Sequence, residues 1–145
     1  MFREDYIMRL IQQLAEAISR IAGLNRSGNH DEALAAADAQ WGKLLDAPRA
    51  LIDAVDTPSL AAMLREPAKL RVAAQLCHQE GHALAAKGDP VHAQLRYRRA
   101  LELMFELRAA EPDGDRGGDD EAAIRELSRL VPSSLIDPRY RTAQR

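Results

Sequence analysis

The chain predicts an all-α fold, and three observations carry that expectation. Ala (26), Leu (19) and Arg (17) dominate the 145 residues, and all three are strong helix formers. Against them stand only 2 Phe, 3 Tyr and 1 Trp, so aromatic strand formers are scarce. Apolar residues recur at spacings of three and four, and no stretch alternates long enough to make a half-buried strand.

The first helix is predicted from about Arg3 to Asn25. Ile7, Ile11, Leu14, Ile18 and Ile21 form a heptad seam on it, and Phe2, Tyr6 and Leu10 add a flanking stripe. Asn25-Arg26-Ser27-Gly28-Asn29 is the stop. A second helix, about Asp31 to Leu45, carries Ala33, Leu34, Ala37, Trp41, Leu44 and Leu45 at helical period, with Trp41 as its core anchor. Pro48, Pro58 and Pro67 divide the next segment into short helices near 49–55 and 59–65. Thr57 is expected to cap the second of these, ahead of a proline at its first position. Leu51, Ile52, Val55, Leu60, Met63 and Leu64 require burial.

A helix from Pro67 to about Lys87 packs through Leu70, Ala73, Ala74, Cys77, Gly81, Leu84 and Ala85. Gly88-Asp89-Pro90 then closes one helix and opens the next within three residues. The helix from Pro90 to about Ala110 is apolar nearly all round between Leu101 and Leu107, which makes it central. The Gly/Asp stretch 113–120 is expected to be a mobile acidic loop. The last helix spans about Asp119 to Val131, with Ile124, Leu127, Leu130 and Val131 on one face. The domain therefore runs over 1–131. The tail 132–145 is expected to be partly docked through Ser134, Leu135, Ile136 and Tyr140 and otherwise frayed.

Two segments of the chain repeat each other. Gly28-Asn29-His30-Asp31-Glu32-Ala33 and Gly88-Asp89-Pro90-Val91-His92-Ala93 share Gly, Asn or Asp, and Ala at the same offsets, 60 residues apart. With Gly81, Ala93, Tyr97 and Ala100, the second copy resembles the tetratricopeptide repeat. Gly81 stands at the small-residue position of its first helix. Ala93, Tyr97 and Ala100 stand at the Ala, aromatic and Ala positions of its second. Cys77 replaces the usual Trp, Leu84 the usual Tyr, and Phe105 the closing Pro. The match covers 74–105, fades over 14–45 and is absent from 46–66 and 113–145. The opening Phe2 to Gln12 is similar to the start of a bacterial family of small tetratricopeptide-like proteins with no assigned function. The resemblance implies antiparallel helical hairpins with a groove lined by Gln75, His78, His82 and Ala85. It transfers no catalytic residue.

Charge and composition narrow the function. Twenty basic residues against 22 acidic ones leave −2, which argues against a protein that coats nucleic acid. Arg96, Arg98 and Arg99 cluster, but Glu102 and Glu106 lie within helical reach to pair with them. No apolar run approaches the ~18 residues of a membrane span. The first five residues are not of signal-peptide kind, so a cytoplasmic location is expected. One Cys excludes an internal disulfide and any multi-Cys zinc site, and Cys77 reads as a small core residue.

His78 and His82, four apart, share a helix face and have the spacing of a chelating pair. Glu80 sits at neither zincin position, and the sequence offers no obvious third ligand, so no metal or other cofactor is expected. Asp113, Asp115, Asp119 and Asp120 fail the calcium-loop pattern, which needs Glu where Ile124 stands. The expected function is a non-enzymatic helical interaction module. Its partner is an unknown protein or peptide, or a second copy bound as a homodimer through Ile7, Ile11, Leu14 and Ile18. The alternative is a small metal- or ligand-binding protein using the groove around His78 and His82.

Overall fold

Helices start and stop where Gly, Asp and Pro place them. The computed structural model describes residues 2–112 and 118–142. They form α1 (Phe2–Arg26), α2 (His30–Leu44), α3 (Arg49–Ala54), α4 (Thr57–Leu64), α5 (Pro67–Ala86), α6 (Pro90–Ala110), α7 (Asp119–Leu130), a 3-10 turn (Ser133–Leu135) and α8 (Pro138–Arg141). There is no strand among the described residues, and none of their helices is long and apolar enough to cross a membrane. Most of the acidic loop expected at 113–120 lies outside the described residues.

The two glycine turns are built alike. Gly28 and Gly88 have φ of +83° and +84°, a conformation in which a Cβ is strained. The N–H of Asn29 reaches back to Leu24 O and that of Gly28 to Asn25 O; Asp89 and Gly88 repeat the pattern with Leu84 O and Ala85 O. These paired bonds satisfy carbonyls that the helix end leaves open. Asp89 then accepts from the N–H of His92, so one residue pair ends α5 and starts α6. At α4 the expectation fails. Asp56, not Thr57, is the cap, because its side chain accepts from the N–H of Ser59 at 2.9 Å. Thr57 lies inside the helix, and its hydroxyl donates to Glu102 at 2.6 Å.

Packing follows the chain. α1 lies on α2 and α5, α2 on α5, and α7 on α6, while α5 and α6 share the most extensive contact. α6 is central, as its apolar circumference predicts: Leu101, Glu102, Leu103, Met104 and Phe105 are buried in succession. The connector buries Ile52, Leu60 and Leu64 but leaves Leu51 exposed, against expectation. In the tail, Ile136 and Tyr140 are buried, whereas Ser134 and Leu135 face outward.

Trp41 is buried, as expected of an anchor, but in polar company. Its indole N–H donates to the buried Glu80 at 3.3 Å, and Arg49 donates to the same oxygen at 2.8 Å. The Arg49 guanidinium lies 4.9 Å from the centroid of the indole ring. Burial alone would ease the proton off Arg49; Glu80 and then Asp53 outweigh it and hold the cation charged.

The α5–α6 distance is set at Gly81. A Cβ built there would stand 2.5 Å from Cδ1 and Cε1 of Tyr97, whose ring occupies that space. Gly42, in α2, has nothing within 4 Å of the same point. Gly42 and Gly81 should therefore respond oppositely to Ala. Gly42→Ala should stabilise by up to about 1 kcal/mol through helix propensity. Gly81→Ala should destabilise by about 1–3 kcal/mol through overpacking. Denaturant melts of both variants check this, and a stabilising Gly81→Ala would refute the close approach.

Candidate metal centre

The i, i+4 spacing on α5 places the His78 and His82 rings 4.7 Å apart between centroids. α7 brings the missing third group. Glu126 Oε2 lies 3.3 Å from His78 Nε2, and Glu126 Oε1 lies 3.4 Å from His82 Nε2. The sequence offers no obvious third group; the fold places Glu126 beside the pair. One ligand atom from each of the three residues lies within 4.8 Å of the others.

The geometry is compatible with ion pairing of Glu126 to the two imidazoles and with a shared ion between them. His78 Nε2 is buried and has no hydrogen-bond partner, although Glu126 stands at ion-pair distance. Two ligand atoms on one tetrahedral zinc, each ~2.0–2.1 Å from it, would be ~3.3 Å apart. The two His–Glu separations are near that value, each to a different carboxylate oxygen, while the set of three ligand atoms is bounded only by 4.8 Å.

The electrostatics favour neutral imidazole at His78. Burial, reinforced by His82, pushes His78 below the ordinary histidine value, against the opposing pull of Glu126. On the far side of His82, Nδ1 lies 2.9 Å from the Tyr97 hydroxyl. Burial and the Glu126 charge raise the Tyr97 phenol, so it keeps its proton. With Nδ1–H donating to the Tyr97 oxygen, Nε2 retains its lone pair for a metal. Tyr97, foreseen only as a packing residue, thus also orients His82.

The remaining expected groove residues divide. Gln75 is half-buried and Ala85 exposed, and neither meets the His pair in a hydrogen bond. Gln79, not foreseen, binds Asn25 of α1: the Asn25 side-chain amide donates to Gln79 O at 3.0 Å and to Gln79 Oε1 at 2.9 Å. Ala93 and Ala100 are buried. The α1 seam turns inward. Leu14 is fully buried, and Ile11 and Ile18 pack against the core, so Leu14 cannot serve the association expected of it. Ile7 is half-buried.

No protein-family model matches the chain, and no curated protein or solved structure is significantly similar to it.

Cys77 borders the site in sequence but not in chemistry. It is buried, and desolvation, reinforced by Glu80, pushes its thiol up to about 12. A neutral aromatic disulfide reagent at about pH 8 should leave the native thiol unmodified and react with it promptly in denaturant. Fast labelling of the native protein would show Cys77 to be accessible.

Proposed function

We propose that this chain is a binding protein, not an enzyme, and that it holds a divalent transition-metal ion at His78, His82 and Glu126. Glu126 carries the reading: a residue from another helix places both its oxygens at ligand spacing from two imidazoles that already share a face. Two imidazoles and a carboxylate suit zinc and its neighbours in the first transition row, and they leave one or more positions open. The Tyr97 contact supports the reading, because ligating histidines ordinarily donate their second nitrogen to an outer partner. The α1–α2 and α5–α6 hairpins, each packed on its neighbour, support a tetratricopeptide-like scaffold beneath the site.

Titration calorimetry of metal-free, tag-free protein with zinc at neutral pH should give one ion per chain. His82→Ala and Glu126→Gln should each weaken binding at least about tenfold, and Tyr97→Phe about tenfold, on the scale of outer-shell losses. His92→Ala, at an exposed histidine on α6 that pairs with Asp89, should change nothing. Wild type without binding, or undiminished binding by folded Glu126→Gln, would remove the reading.

A second reading, association through a protein surface, is favoured by the start of α1. There Phe2 is 92%, Met8 70% and Tyr6 67% exposed, although large apolar groups normally seek cover. Analytical ultracentrifugation from micromolar concentrations upward should show a dimer that Tyr6→Asp weakens. A mass of 16.0 kDa throughout would exclude self-association.

A further inference from the structure

A second polar feature lies away from the histidines, where the helix-internal pairing read from the sequence does not form. Among the described residues, Glu102 and Glu106 form no ion pair with Arg96, Arg98 or Arg99. Glu102 accepts from Thr57 and from the N–H of Asp137 at 3.1 Å, and Glu106 from the Tyr140 hydroxyl at 2.5 Å. Arg96 turns instead to Asp53, at 2.7 Å. Arg98 and Arg99 are left without an ion-pair partner among the described residues. Arg98 makes no side-chain hydrogen bond, and its buried Nε has no partner. Arg99 donates to Val55 O at 2.5 Å, while its Nη1 is buried and unpartnered.

Both guanidiniums line a cleft of about 400 Å³ between α4, α6 and the C-terminal segment. Arg141 adds a third cation at the cleft, its Nε donating to Ile136 O. The cleft also contains four carboxylates, and each is already engaged. Asp53 is held by Arg96 and Arg49, Asp56 by the N–H of Ser59, Asp137 by the N–H and Nε of Arg139, and Glu102 as above. The acids are therefore engaged within the fold, while Arg98 Nε and Arg99 Nη1 have no hydrogen-bond partner among the described residues. Guanidinium forks match the two oxygens of a carboxylate or phosphate, and an unpaired half-buried cation is costly until an anion meets it. Val55, Pro58, Leu135 and Pro138 supply apolar wall beside the charges. The volume is that of a small-metabolite site.

We propose that this cleft binds a small organic oxyanion, a carboxylate or a phosphate monoester, through Arg98 and Arg99. The site is separate from the metal centre, and neither needs the other.

The test is calorimetric titration of the full chain, at low ionic strength, with phenyl phosphate and with benzoate, which share a ring and differ in head group. Saturable binding of either is expected. It should weaken at least about tenfold in Arg98→Gln and several-fold in Arg98→Lys, which keeps the charge and loses the fork. Arg125→Gln, exposed on α7, should leave it unchanged. The Arg98 side chain makes no hydrogen bond among the described residues, so its replacement is not expected to unfold the chain; circular dichroism of each variant checks this. Tighter phenyl phosphate would assign the phosphate class, and tighter benzoate the carboxylate class. No saturation by about 10 mM with either probe, or full affinity in folded Arg98→Gln, would overturn the proposal.

Discussion

The contact between Gly81 and the Tyr97 ring is the constraint on which the rest of the molecule depends. Because residue 81 lacks a side chain, the ring rests against the backbone of α5. The helix pair closes on that contact, and α6 becomes the buried axis against which α7 lies. The same ring sends its hydroxyl to His82. A packing requirement, met by the ring, and an orienting hydrogen bond, met by the hydroxyl, thus fall on one side chain.

Much of this fold is legible in the sequence where the rule is local. Gly88-Asp89-Pro90 announces a positive φ, a side-chain cap and a fixed proline in that order, and each appears in place. The circumferential apolarity of 101–107 announces a central helix. His78 and His82 share a face because helical geometry leaves no choice. Glu126 was not legible. Its partners are distant in sequence, and nothing in Ile124-Arg125-Glu126-Leu127 says which helix its carboxylate will meet. Thr57 misleads for a related reason: Asp56 and Thr57 are both good caps, and the competition is decided by Glu102, which claims the threonine hydroxyl.

Charge placement shows the same limit. Spacing alone pairs Arg98 with Glu102 on one helix. In the fold Glu102 is buried, and a buried carboxylate takes the partners that tertiary structure delivers, here a hydroxyl and a backbone N–H. Glu80 behaves likewise with Trp41 and Arg49. The connector supplies Arg49 to Glu80 and Thr57 to Glu102, and the tail supplies the N–H of Asp137 to Glu102. Those irregular segments therefore serve the core by supplying donors to it, as well as apolar area.

The way α7 is fastened has a consequence of its own. Only Ile124 and Leu127 of this helix are buried. Its polar ties include Arg71 to Asp120 at 2.9 Å, Arg108 to Glu121 at 3.0 Å, a Gln94 amide on Leu130 O at 2.8 Å, and Glu126 beside His78 and His82. Half-exposed ion pairs are weak and fade as electrolyte is added. α7 is thus the layer most ready to peel away while the two hairpins stay whole, a sub-global opening with its own small free energy. Any ion gripping Glu126 together with the two imidazoles would act on that opening first. Its influence would be felt as a local latch on the outermost helix, with the inner hairpins already holding their shape without it.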